Sequence, residues 1–200
     1  MKKLGKMVAL GALCSVGSIS AADVIMDQIG AFDGSDTNGN LMASQIFENI
    51  YSGYDVGVVD DFTLDTTTSL NSISAIIGGW NGYAGSDGVA GYSVNIYMDP
   101  EDVAYSLTGI ISIYLPNGTL PGVVYDESWG GDGEHVTLDL NGFTLDAGTY
   151  WIGVTAHNGF GTNGQTGVMC SNLGNFNAHQ ANPADGFGFG GLQNTSDNAA

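Results

Sequence analysis

From residue 23 to residue 200 the chain has no lysine and no arginine. Lys2, Lys3 and Lys6 are its only such residues, and all 21 aspartates and glutamates come after residue 22. No Lys or Arg salt bridge can form in that stretch, where only His135, His157 and His179 can become cationic. Binding to a nucleic-acid backbone is excluded, because Lys and Arg supply the neutralising phosphate contacts. Polybasic attraction to anionic lipid is excluded for the same reason. Charged residues are 12% of the chain, about half the ~25% of ordinary domains. The imbalance therefore comes from missing bases, not from the carboxylate crowding of a halophile. High net negative charge on a bland Gly/Asn/Ser/Thr surface fits an extracellular protein that stays soluble and offers oxygen sites to cations.

Cysteine is nearly absent. Cys14 lies near the start, so Cys170 stands alone in residues 23–200 and no disulfide can close there. A lone Cys is either a buried thiol or an intermolecular link. Burial is the preferred reading, since free Cys is among the most buried residue types. Long apolar runs are missing too. The stretch Val8–Ile19 is too short to span a bilayer comfortably. It follows Lys2, Lys3 and Lys6 and precedes Ser20-Ala21-Ala22, the order of a secretory signal peptide, so cleavage is expected before Asp23. Leu13 before Cys14 argues against lipoprotein processing. The expected product, residues 23–200, is secreted, periplasmic or on the cell surface. It has no membrane span and is long enough for one domain with a real core.

Helical periodicity is scarce. In "LMASQIFENI" (41–50), Met42, Ile46 and Ile50 would share a helical face, but charged pairs and a convincing cap are missing, and helix is the minority reading. Strand patterns dominate instead. "VVDDFTL" (58–64) places Val58, Phe62 and Leu64 on one parity. "LNSISAII" (70–77) sets Ile73, Ala75 and Ile77 against Ser72 and Ser74. "YSVNIYM" (92–98) sets Val94, Ile96 and Met98 against Ser93, Asn95 and Tyr97. "EHVTLDL" (134–140) sets Val136, Leu138 and Leu140 against Thr137 and Asp139. In "LDAGTYWIGV" (145–154), Tyr150, Ile152 and Val154 form a core row, and Trp151 faces away, at the surface or under a loop. Period-two alternation predicts strands with one buried and one wet face. "GGWNGYAGSDG", "LPNGTLPG", "SWGGDGE" and "LNGF" punctuate them. "FTLD" occurs at 62–65 and 143–146 and reads as a shared way of leaving a strand. Short strands are also expected near 167–171 and 186–190. The pattern predicts an all-β, antiparallel two-sheet sandwich of jelly-roll type, with an irregular segment over 23–55.

"VVDDFTL", "SLNSISAIIGGW", "YSVNIYMD", "LPGVVYDESW", "HVTLDLNGFTLDAGTYWIGV" and the final "SDNAA" resemble secreted bacterial β-sandwich proteins of the PEP-CTERM or choice-of-anchor type. The likeness runs from about residue 40 to the end. It implies a sandwich fold and an exported or surface role, and no catalytic residues. The sorting tail of that type is absent, and such chains continue past "SD-A" into a final strand. The resemblance therefore implies a truncated form.

No G-x-S-x-G, H-E-x-x-H or Gly-rich phosphate loop occurs. Asp60-Asp61 and Glu101-Asp102 are sequence neighbours, which strands point to opposite faces. "DGSDTNGN" offers Asp33, Asp36, Asn38 and Asn40 as weak Ca²⁺ ligands. An EF-hand would place Gly at Leu41 and Glu at Phe47, so the loop is a structural candidate only, against a plain Asx-rich turn. Trp80, Tyr83 and Trp129 lie in Gly-rich loops with Asn81, Asp87 and Asp132 nearby, a set that suits sugar binding; the alternative is that the rings plug the ends of the core. Two functions are expected to compete. One is an exported, non-catalytic surface or matrix sandwich that binds polysaccharide; the other is a secreted polysaccharide hydrolase.

Overall fold

The computed structural model describes residues 23–31, 34–118, 123–126, 133–189 and 191–195. Side-chain alternation sorts its strands into two layers. The strands are β1 (Thr37–Ala43), β2 (Gln45–Ile46), β3 (Gly57–Leu64), β4 (Thr68–Trp80), β5 (Gly91–Tyr97), β6 (Ile111–Pro116), β7 (Val123–Asp126), β8 (Gly133–Leu145), β9 (Gly148–His157), β10 (Gln165–Ser171), β11 (His179–Ala181) and β12 (Leu192–Asn194). One sheet has the order β1-β10-β4-β8-β7. The other runs β12-β11-β3-β9-β5-β6, with β2 beside β9. The inner set, β1-β10-β4-β8 over β3-β9-β5-β6, is the strand order of a jelly roll. All described ladders are antiparallel except the short β2–β9 pair. The expected all-β sandwich is the observed fold.

Inward rows build the core. Ala75 and Ile77 of β4 meet Val136, Leu138 and Leu140 of β8 on one side, and Val94, Ile96, Tyr150 and Val154 face them from the other. Ile152 packs against the same cluster, so the row Tyr150, Ile152, Val154 lies where the sequence places it. Both "FTL" segments end their strands, β3 at Leu64 and β8 at Leu145.

Several expectations are corrected. β5 is buried along all seven residues, so its Ser93, Asn95 and Tyr97 row is not wet. The cause is the segment after it. Val103 and Leu107 fold over the outer face and form a second cluster with Tyr97, Val59, Ala181 and Trp151. Trp151 is therefore packed under a loop, and its Nε1 is buried with no partner among the described residues. Met98 falls beyond the end of β5 and is 64% exposed. "LMASQIFENI" is neither helix nor irregular loop. It gives the end of β1, then β2, then the start of a 3-10 segment at Asn49–Tyr54, and the chain crosses between the sheets at Ser44. "LNGF" does not separate strands either. β8 passes straight through it, with Asn141 and Gly142 at positive φ and the β4–β8 register shifting beside them, as in a β-bulge. Gly186–Phe189 forms turns rather than a strand, and β12 lies further on.

Candidate functional site

Trp80 and Tyr83 do not form one platform. β4 sends Ile77 and Gly79 inward and Trp80 outward. Tyr83 doubles back so that its ring lies directly on Gly79, where no Cβ would fit, and joins the main core. For Tyr83 the plug reading holds. Trp80 is half-buried on the outer face, its six-membered ring against Gly167. Asp87 is exposed on a 3-10 turn, Ser86–Gly88. Trp129 and Asp132 lie outside the described residues.

Of the Ca²⁺ candidates, Asp33 and the side chain of Asn38 lie outside the described residues. Asp36 Oδ2 accepts the Ala31 N–H at 2.8 Å, and the Asp36 carbonyl accepts the Asn172 N–H at 2.7 Å, so this residue shapes a turn. Asn38 and Asn40 fall within β1 rather than in the loop before it. Among the described residues no cluster of three His, Cys, Asp or Glu side chains converges.

A different set of aromatics does converge. Phe47, just after β2, is buried and central, with Tyr54, Phe160 and Phe187 around it at ring-centroid distances of 6.4, 6.4 and 6.3 Å. Tyr51 closes edge-on against Phe160 at 5.7 Å, and Tyr54 against Phe187 at 5.1 Å. With Asn81 and Gln165 these five rings line a cleft of about 280 Å³. Phe47 makes the floor, while Tyr51, Tyr54, Phe160 and Phe187 stand 37–41% exposed. Asn81 Nδ2 donates to Gln165 Oε1 at 2.6 Å and forms an amide edge. Trp80, Tyr83 and Trp129 in their Gly-rich loops do not point to this set, whose rings come from three separated segments.

Polar side chains hold those segments in place. The Glu48 carboxylate accepts the Phe160 N–H at 2.7 Å and the Gly161 N–H at 3.1 Å, which fixes the short helix α1 (Phe160–Asn163). Burial pushes the Glu48 carboxyl up, but hydrogen bonds from Gly161, its own N–H and Phe160 outweigh that and hold it below the usual carboxylate range. Asp55 Oδ1 accepts the Phe47 N–H at 2.7 Å. There burial wins over the hydrogen bond and pushes the carboxyl up. Asn182, fully buried, donates to the carbonyls of Gly53 and Asp55 and accepts the Phe187 N–H. One amide thus ties the Tyr54 loop to the Phe187 loop.

Other arrangements with chemical potential are less complete. Ser93 Oγ lies 2.7 Å from His157 Nε2, with the Tyr114 ring edge-on to the imidazole. Burial pushes His157 down, so it stays neutral at physiological pH. A Ser–His pair is the start of a nucleophilic site, but among the described residues no carboxylate orients this histidine, as the triad logic requires. Asp60 and Asp61 face opposite ways. Asp60 is buried beside a cavity of about 170 Å³ between the sheets, whose mouth is lined by Met26 and Asp27, while Asp61 accepts amides from Asn175 and Asn177 outside. Cys170 borders the same cavity, fully buried as the composition suggested. No known protein family, curated protein or solved structure matches the chain.

Proposed function

We propose that this protein is an exported, non-catalytic surface or matrix sandwich that binds a neutral polysaccharide in the aromatic cleft. One observation carries the reading: all seven lining residues are uncharged, five rings and two amides. Sugars present apolar C–H faces, which stack on rings, and hydroxyls, which exchange hydrogen bonds with amides that both donate and accept. An anionic polymer would meet no Lys or Arg in residues 23–200, and a cationic ligand would meet no carboxylate on the cleft wall. The signal-like start supports export.

The hydrolase reading has one observation in its favour. Glu48 and Asp55 lie close to the cleft in sequence, and their carboxyls are pushed in opposite directions, as in acid–base pairs. Both, however, bind backbone amides, and neither lines the cleft. The test is affinity electrophoresis of residues 23–200 in gels holding mannan, xylan, β-glucan or amylose, run beside a reducing-sugar assay. Retardation by at least one polymer, lost in Tyr54→Ala and Phe187→Ala with melting points nearly unchanged, is expected. No retardation by any of them would overturn the binding reading. Sugar release abolished by Glu48→Gln or Asp55→Asn would replace it with hydrolysis.

A further inference from the structure

Trp80 and Gln165 are paired directly across the β4–β10 ladder. Directly opposed residues leave the same face of a sheet, with Cβ atoms about 5 Å apart. Gln165 is also a wall of the cleft, hydrogen-bonded to Asn81, the residue after Trp80. The indole therefore stands one strand beyond the amide edge of the cleft. It is half-buried, one side against Gly167, where a Cβ would come within 3.0 Å of its Cζ3. The sequence of groups along this surface is ring cluster, amide pair, ring.

We infer that Trp80 is a second sugar subsite continuous with the cleft, and that the ligand is an extended neutral chain held along its length rather than a single sugar unit. The inference rests on the neutral-glycan reading of the cleft and adds the length of the ligand to it. The order of groups matches such a chain: successive units stack on the cleft rings and on Trp80, and the hydroxyls between them meet Asn81 and Gln165. Charge argues against a second copy of this protein as the occupant, since residues 23–200 carry 21 acidic side chains and no Lys or Arg.

The experiment is calorimetric titration with a ladder of oligosaccharides, from the disaccharide upward, cut from whichever neutral polymer retards the protein. Affinity is expected to rise with length until both subsites are filled and then to level off. Trp80→Ala should cost roughly tenfold on the long members and nothing on the shortest, an increment of the size of one aromatic contact. Trp80→Tyr should restore most of the loss. If Trp80→Ala fails to fold, indole fluorescence of a Trp129→Phe, Trp151→Phe protein, in which Trp80 is the one remaining indole, takes its place, and long but not short members should shift it. Binding that is independent of chain length, or equal loss on short and long members, would overturn the second subsite and leave the cleft reading intact. No binding to any polymer would overturn the cleft reading itself.

Discussion

Gln45 and Thr166 lock the two sheets together at the end that carries the cleft. Gln45 Oε1 accepts both the N–H and the hydroxyl of Thr166, at 2.7 and 3.0 Å, and its Nε2 donates to the Asn158 carbonyl at 2.8 Å. The glutamine sits beside β9 and the threonine on β10, in opposite layers, and both are fully buried. Gln45→Leu keeps the bulk and orphans these groups, at about 1–3 kcal/mol for each buried group left unpaired. For a chain of this size every kcal/mol is worth about 2–4 °C in melting temperature. A Gln45→Leu protein that melts with the wild type would show that water satisfies the site and that the lock contributes nothing.

Asn182 has the same role one layer out. Asn182→Ala removes two donations, to Gly53 and Asp55, and the acceptor for Phe187 N–H. The expected result is a lower melting point together with loss of polysaccharide retention, because Tyr54 and Phe187 then separate. Asn182→Asp keeps the acceptor alone and should fall between. Retention at full strength in a destabilised Asn182→Ala would show that the loops hold the rings without the clamp.

Acid should act on the two carboxylates behind the cleft with opposite sign. Asp55 is raised, so the folded state holds its proton more tightly than the unfolded chain does. Its stabilising contribution is present in acid and is lost as pH rises from the ordinary 3.8 through the raised folded value. Glu48 is lowered, so its contribution is present above the ordinary 4.5 and is lost as pH falls through the folded value. Melting series across the acid range should show the Asp55→Asn curve rising relative to wild type with increasing pH. The Glu48→Gln curve should rise relative to wild type as the pH drops below 4.5. A Glu48→Gln curve parallel to wild type throughout would show that its amide contacts contribute no stability.

Cys170 should be silent. Burial and the neighbouring Asp60 charge push its thiol up to about 11, so the reactive thiolate is scarce and enclosed at neutral pH. A thiol reagent such as Ellman's should label nothing in the native protein and one thiol per chain of residues 23–200 after unfolding in guanidinium chloride. Rapid native labelling would mean that the reagent reaches it through the cavity beside it.

The sandwich was legible where alternation is clean. Val136, Leu138 and Leu140 announce β8, and Tyr150, Ile152 and Val154 announce β9, because one face of each is core and parity alone decides it. Parity failed at β5, since Ser93, Asn95 and Tyr97 are covered by residues that follow the strand and leave no local mark. Asn141-Gly142 misled because the positive φ that makes a hairpin turn also makes a bulge. The cleft was invisible for another reason. Phe47, Phe160 and Phe187 lie far apart in sequence, and the β2 crossover, α1, the Asn182 clamp and the Gly186 N–H bond to the Gly53 carbonyl bring them together. Trp80 was legible as a candidate, but its outward face follows from the parity of β4, which turns Ile77 and Gly79 inward and leaves the indole against Gly167.

Strand order also dictates when the molecule can take shape. β9 lies between β3 and β5, and β10 between β1 and β4, so each layer has an inner strand from the last third of the chain. Until those residues arrive, β3 has no β5 to lean on through β9, and Ala43 waits for Gly167. The local pairs, β5 with β6, β7 with β8 and β11 with β12, are close enough in sequence to associate as soon as each is complete. A chain released N-terminus first would thus remain largely unfolded until most of it had emerged, so its slowest contacts are the ones its last strands must make with its first.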